Sequence, residues 1–218
     1  MTILRENFYG DVNIGLYGFA TDKYCLLGLR QKINKKIKKA LGVPVYVSTF
    51  LATDFAGLFA AGNSSGIAVS GMIEGHELQV LKKMFENILV LPTRFTAIGN
   101  LILLNDSGIV LSPLLRKNKK EIESFFKLPC AISTIAGISV TGSCAIATNK
   151  GCVVHPKIKL DEKKIIEEVL DVSVDISTVS FGSPFAKSGA IANSRGLVIS
   201  TSSSGPEMGR ITEVLGFV

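Results

Sequence analysis

Few side chains in this chain could act as nucleophile, base or metal ligand. Its 218 residues include four cysteines (Cys25, Cys130, Cys144 and Cys152) and two histidines (His76 and His155). A thiol enzyme needs a cysteine within reach of a histidine and a third group that orients the pair. A zinc site needs spacings such as CxxC, HxxxH or HExxH. None of these patterns occurs. His76 stands in Glu74-Gly75-His76-Glu77 at an expected helix start. His155 stands before Pro156 at an expected strand end, where sister segments carry Ser70 and Ser112. Each cysteine lies in or beside an apolar strand-like run, where a thiol behaves as a small hydrophobe. Four free buried thiols, no metal and no cofactor are therefore expected. Gly182 to Ser188 suggests a phosphate loop, but it lacks a glycine directly before Lys187-Ser188 and leads into strand residues rather than a helix. With no nucleophile paired to a base, an enzyme is not expected.

The bulk composition allows a sizeable core, with 47% apolar residues and 21 glycines. No run of 18 apolar residues occurs, and the N-terminus lacks the basic-then-apolar order of a signal peptide. A cytoplasmic protein without a membrane span is expected. The net charge is +6. Much of it falls in Arg30, Lys32, Lys35, Lys36, Lys38 and Lys39. Ile33, Ile37 and Leu41 interleave with these lysines at helical spacing. The stretch is either a solvated helix face or a feature that draws the protein toward a polyanion such as RNA.

The elements that must position any site are set by a repeat. Five times a polar turn empties into a short apolar strand, with the last turn residue at Tyr24, Gly66, Gly108, Gly151 and Gly196. The intervals are 42, 42, 43 and 45 residues, and a fixed period of this length marks a repeat architecture. The third unit is the clearest. Ile98–Leu104 reads as a strand, Asn105–Gly108 as a hairpin turn, and Ile109–Leu111 as the returning strand. Lys117–Phe126 reads as an amphipathic helix and Pro129–Ser133 as a third strand. Each unit is thus β-β-α-β. Other helices are expected at Lys32–Leu41, Gly75–Phe85, Asp161–Leu170 (with Asp161 as N-cap) and Gly205–Leu215.

A second marker fixes the register. Nine residues before each last turn position stand Gly15, Gly57, Gly99 and Gly142, while the fifth unit has Lys187 there and Gly189 two places on. A glycine repeated at one strand position implies either close approach of several units around a centre or a bulge in each. The fifth unit runs out before a full third strand, and the chain opens with an unassigned strand over Thr2–Glu6. That strand is expected to complete the last unit and close a ring. The result is one α+β domain over 1–218, with units near 8–49, 50–93, 94–134, 135–178 and 179–218 plus strand 2–6.

Three pieces of sequence carry a family likeness: Ala97-Ile98-Gly99-Asn100 with Leu104-Asn105-Asp106, then Asn149-Lys150-Gly151 with Val154-His155-Pro156-Lys157, then Thr178 to Ser183. In this order the chain resembles the translation initiation factor 6 family, in its archaeal form, over essentially its whole length. The resemblance implies a pentein-type pseudo-fivefold β/α propeller, helices outside. It implies a ribosome anti-association factor that binds the large ribosomal subunit, protein and rRNA near the sarcin–ricin loop, and keeps the small subunit off. No small-molecule substrate or membrane partner is implied, and a monomer is expected. The implied contact face lies around the axis at one end of the ring. Asn100 matches a family asparagine there, and the equivalent slots are Leu16, Leu58, Ser143 and the adjoining Cys144. Relatives with an arginine at the slot of Leu58 and a tyrosine at that of Cys144 differ from this chain. The alternatives are a pentein-type enzyme acting on guanidino groups, which would need a late cysteine where the last is Cys152, and a general rRNA-binding protein.

Overall fold

The computed structural model describes residues 2–29 and 34–218. These form five three-stranded sheets. In each, a hairpin supplies the first two strands and the third strand lies parallel to the second; in four of them that third strand follows a helix. In the second unit, Ala60–Asn63 pairs antiparallel with Gly66–Ser70, and Ile88–Leu91 lies parallel to Gly66–Ser70. The third strand of the fifth sheet is Thr2–Arg5, parallel to Gly196–Ile199. The N-terminal strand therefore closes the ring as expected.

Among the described residues, the helix that follows the second strand of each unit is Asn34–Leu41, Gly75–Lys82, Lys119–Phe126, Leu160–Leu170 and Gly205–Val214 in turn. In the first of these Ile37, Ala40 and Leu41 are buried while Lys35, Lys36, Lys38 and Lys39 are exposed. Arg30, Lys32 and Ile33 lie outside the described residues. One helix start differs from expectation. Asp161 is not the N-cap; that position is Lys159, and the Glu162 carboxylate accepts its backbone N–H at 3.0 Å.

The first strand of each hairpin lines the ring axis. Ala20, Ala61, Leu103, Ala145 and Ala192 surround a cavity of about 60 Å³ there. The two hairpin strands of each sheet are mostly buried while the third strand is partly exposed, and each core borrows from the preceding unit. Tyr24 and Leu26 pack with Ile67, Val69 and Leu81 of the second unit. Ile191 and Val198 of the fifth unit pack with Leu27, Ile37 and Leu41 of the first. No unit among the described residues has a core of its own, so the ring is held cooperatively.

At the hairpin end the axis is stitched shut by polar side chains. The Asn149 amide donates to Asp22 at 2.8 Å and to Asp106 at 2.7 Å. Ser64 donates from its backbone N–H and hydroxyl to Asp106.

The marker glycines depart from expectation in an informative way. They are not in strands and form no bulge. Gly15 and Gly99 sit in single 3-10 turns, Ile14–Leu16 and Ile98–Asn100, and Gly57 sits in the helical turn Ala56–Phe59. Ile98–Leu104 is accordingly not one strand, since only Ile102–Leu104 pairs. Close approach is the reason for glycine. A Cβ on Gly57 would overlap the Gly15 carbonyl, one on Gly99 the Gly57 carbonyl, and one on Gly142 the Gly99 carbonyl. Gly15 faces the carbonyl of Lys187 in the same manner. Neighbouring units thus touch backbone to backbone around the axis.

Candidate functional site

Strand direction gathers the candidate residues at one end. First strands leave from the turns at Leu16, Leu58, Asn100 and Ser143, and second strands return to that end. Segments that precede first strands or follow second strands therefore share it. Leu16, Asn100 and Ser143 line one mouth of the axis, a depression of about 230 Å³, together with Asn13, Ser183 and Lys187. Leu58 is half-buried at the same end but outside that depression. Cys144 departs from its expected place. It has no exposed surface, packs with Ile135, Cys152 and Val174, and burial pushes its thiol up to about 11. Ser143 and Val140 represent the fourth unit at the mouth.

The same end carries most of the large apolar side chains left in solvent. Tyr9 and Phe181 project from the turns that open the first and fifth units, and Met72, Leu114 and Leu160 follow second strands. Phe181 is 85% exposed and Leu160 80%. Single exposed hydrophobes are ordinary, and these five come one from each unit at a shared end of the ring.

Tyr9 and Phe181 are held in the left-handed region, at φ 54° and 64°. Such a conformation costs about 1–2 kcal/mol per non-glycine residue. Three carboxylates stabilise the opening turns of the second, fourth and fifth units, and sequence reasoning missed them. Glu207 accepts from Phe181 and Gly182 backbone N–H groups, from the Thr178 hydroxyl and from Ser204. Glu162 holds Ala136 and Gly137, and Glu77 holds Leu51 and Ala52. Burial alone would raise these carboxyls. The hydrogen bonds outweigh it, and Glu207 is brought down to about 2. Their signal in the sequence is a glutamate three residues past each helix N-cap.

The remaining titratable candidates are structural. All four cysteines are free and buried, as expected, and burial raises each thiol. His155 Nδ1 accepts the Lys157 N–H at 3.1 Å. Ser70 and Ser112 accept from Met72 and Leu114 two residues on. The histidine thus does the work of the serine at sister strand ends. His76 is exposed beside Glu74. Among the described residues no His, Cys, Asp or Glu cluster is placed to hold a metal ion, and no helix is long and apolar enough to cross a membrane.

Lys187 is the exception in the ring of glycines. Its side chain crosses the axis and donates to the Gly99 carbonyl at 2.5 Å. Desolvation lowers its ammonium pKa to about 8.

Comparison with known proteins agrees with this architecture. The N-terminal domain of ArgZ, crystallised as a point variant with a covalently bound reaction intermediate, superposes with a TM-score of 0.57 at 13% identity over 84% of this chain and 74% of that one. That likeness supports the pentein-type fold. Translation initiation factor 6 of Haloquadratum walsbyi is 34% identical over 222 residues, covering 99% of this chain and 97% of the relative. Translation initiation factor 6 of Pyrococcus abyssi is 33% identical over 227 residues and the full length of both chains. The eIF-6 family model matches residues 3–214, and the chain belongs to the eIF-6 family.

Proposed function

We propose that this protein acts in translation as an anti-association factor: it occupies the inter-subunit face of the large ribosomal subunit, near the sarcin–ricin loop, and the small subunit cannot dock while it is there. The mechanism is steric and calls for no cofactor, no small-molecule substrate and no turnover. The observation that carries it is the gathering of Leu16, Leu58, Asn100 and Ser143 with exposed Tyr9, Leu160 and Phe181 at one end of a closed ring. A stable interface needs about 800 Å² from each partner, and a rigid ring end can supply it with little ordering cost. The protein works as a cytoplasmic monomer, its 218 residues forming a single domain of five repeats.

Sucrose-gradient sedimentation with purified subunits tests this. Co-migration with the large subunit and loss of subunit joining are expected. Co-migration with the small subunit, or unaltered joining, refutes it. Turnover of arginine or agmatine that depends on a cysteine would instead favour the enzyme alternative; the burial of all four thiols argues against it.

A further inference from the structure

The axial mouth has the composition of an anion receptor. Lys187 stands between two spaces, the depression of about 230 Å³ at the ring end and the inner cavity of about 60 Å³. Among the described residues it is the only titratable group lining either one. Among the described residues the Gly99 carbonyl is the one acceptor of its ammonium, which leaves two of three N–H donors for a ligand. Around it the Asn100 amide and the Ser143 and Ser183 hydroxyls make no hydrogen bond to other described residues, while Asn13 is tied to Asp11. Asp11 in turn accepts from the Tyr17 hydroxyl. A desolvated cation surrounded by unengaged donors, with no acid in the lining, is complementary to an anionic group brought in from outside.

The rim decides between anions. Leu16, Val140 and Phe185 border the mouth, and the wider ring end carries Tyr9, Leu160 and Phe181. A phosphate backbone would leave that apolar rim poorly matched, whereas a carboxylate on an aliphatic stem matches both rim and floor. We propose that the axial mouth is a carboxylate-binding site in which Lys187 supplies the charge and Asn100, Ser143 and Ser183 the flanking donors, and that the docking partner on the large subunit fills it with a protein carboxylate. The identity of the partner rests on the proposed function; the existence of the site does not.

The test separates the two. The Lys187 ammonium of the isolated protein is followed by NMR while propionate or inorganic phosphate is added. Propionate is expected to saturate with Kd of about 1 mM or weaker, moving the Lys187 signal and raising its pKa, with phosphate at least tenfold weaker. Lys187→Met abolishes the response, and Ser183→Ala, which keeps the charge, weakens it. No response to propionate overturns the site, and an equal or stronger response to phosphate overturns the choice of carboxylate. In sedimentation, Lys187→Met is expected to bind large subunits about tenfold more weakly. Unchanged binding overturns the role in docking. Failure of the unsubstituted protein to sediment with large subunits refutes the partner, leaving the propionate titration to decide the site.

Discussion

Asn193, in the last hairpin turn, donates from its side-chain amide to the carbonyl of Thr21 in the first, at 2.9 Å and across 172 residues of sequence. A second bond from the same amide reaches the Leu41 carbonyl at 3.0 Å. Asn105 repeats the arrangement toward Thr148 and Leu170, and Asn63 reaches Asn105. Thr21 and Thr148, which lack an amide, close their own turns through Oγ1 instead. Asparagine therefore sews three of the five seams at the hairpin end, the seam between last and first units among them. Asn193→Ala leaves buried Thr21 and Leu41 carbonyls unpaired. It is expected to lower stability by about 2–4 kcal/mol, read from urea unfolding.

The backbone contact at the opposite end predicts a sharp contrast between two glycines. Gly57→Ala drives a methyl into the Gly15 carbonyl and is expected to cost about 3 kcal/mol or more, or to prevent folding. Gly209→Ala, inside the helix Gly205–Val214 with open space around the new Cβ, is expected to be neutral or to stabilise by about 0.5–1 kcal/mol. Thermal melts of the two variants measure the difference. Equal effects would sink the account of the axial crowding.

Acid should loosen the contact face. Glu207 titrates at about 2 in the folded protein and at about 4.3 in an unfolded chain. Its folded pKa is the lower of the two, so its contribution is complete above about 4.3 and is lost as pH falls toward 2. Glu207→Gln is expected to lose about 2 kcal/mol at pH 7, and the gap to the unsubstituted protein is expected to close progressively below about pH 4. Denaturant melts across this range check the sign.

Lys187 has a pH dependence of the same sign in a higher window, but there it is the charged form that is penalised. Its ammonium pKa is lowered to about 8 from 10.5. Between these values the unfolded chain holds more protons, so stability rises with pH through that window relative to a protein lacking the group. Lys187→Met is expected to be more stable at pH 7 by about 1 kcal/mol, after the lost bond to Gly99 is offset. That advantage is expected to vanish by about pH 10.5, as difference melts will show.

Asn100 separates binding from folding. Its backbone carbonyl accepts the Gly142 N–H, but its side chain makes no hydrogen bond to another described residue. Asn100→Ala is expected to leave the melting temperature unchanged and to weaken large-subunit binding by about 5–30-fold. A large fall in melting temperature would assign the side chain a structural role.

Much of this architecture was legible because it rests on local chemistry repeated five times. Turn residues at a period of 42 to 45, apolar strands and amphipathic helices each carry their own signal. The incomplete fifth unit and the unassigned first strand were enough to predict closure. Helix ends and strand starts were less legible. Asp161 looks like an N-cap in isolation, yet the helix begins at Leu160. The choice followed Glu162, which the opening turn at Ala136 and Gly137 engages.

By itself the sequence determined the number of units and their internal order, since each is a matter of residue type and spacing. Only the tertiary structure decided which side chains share a surface. Adjacent residues can point opposite ways, so Ser143 reaches the mouth while Cys144 enters the core. Residues 88 positions apart meet where Lys187 crosses the axis to Gly99. The marker glycines likewise were visible as a pattern, but their cause, carbonyl against Cα around a closed ring, is a relation between units that no single stretch of chain contains.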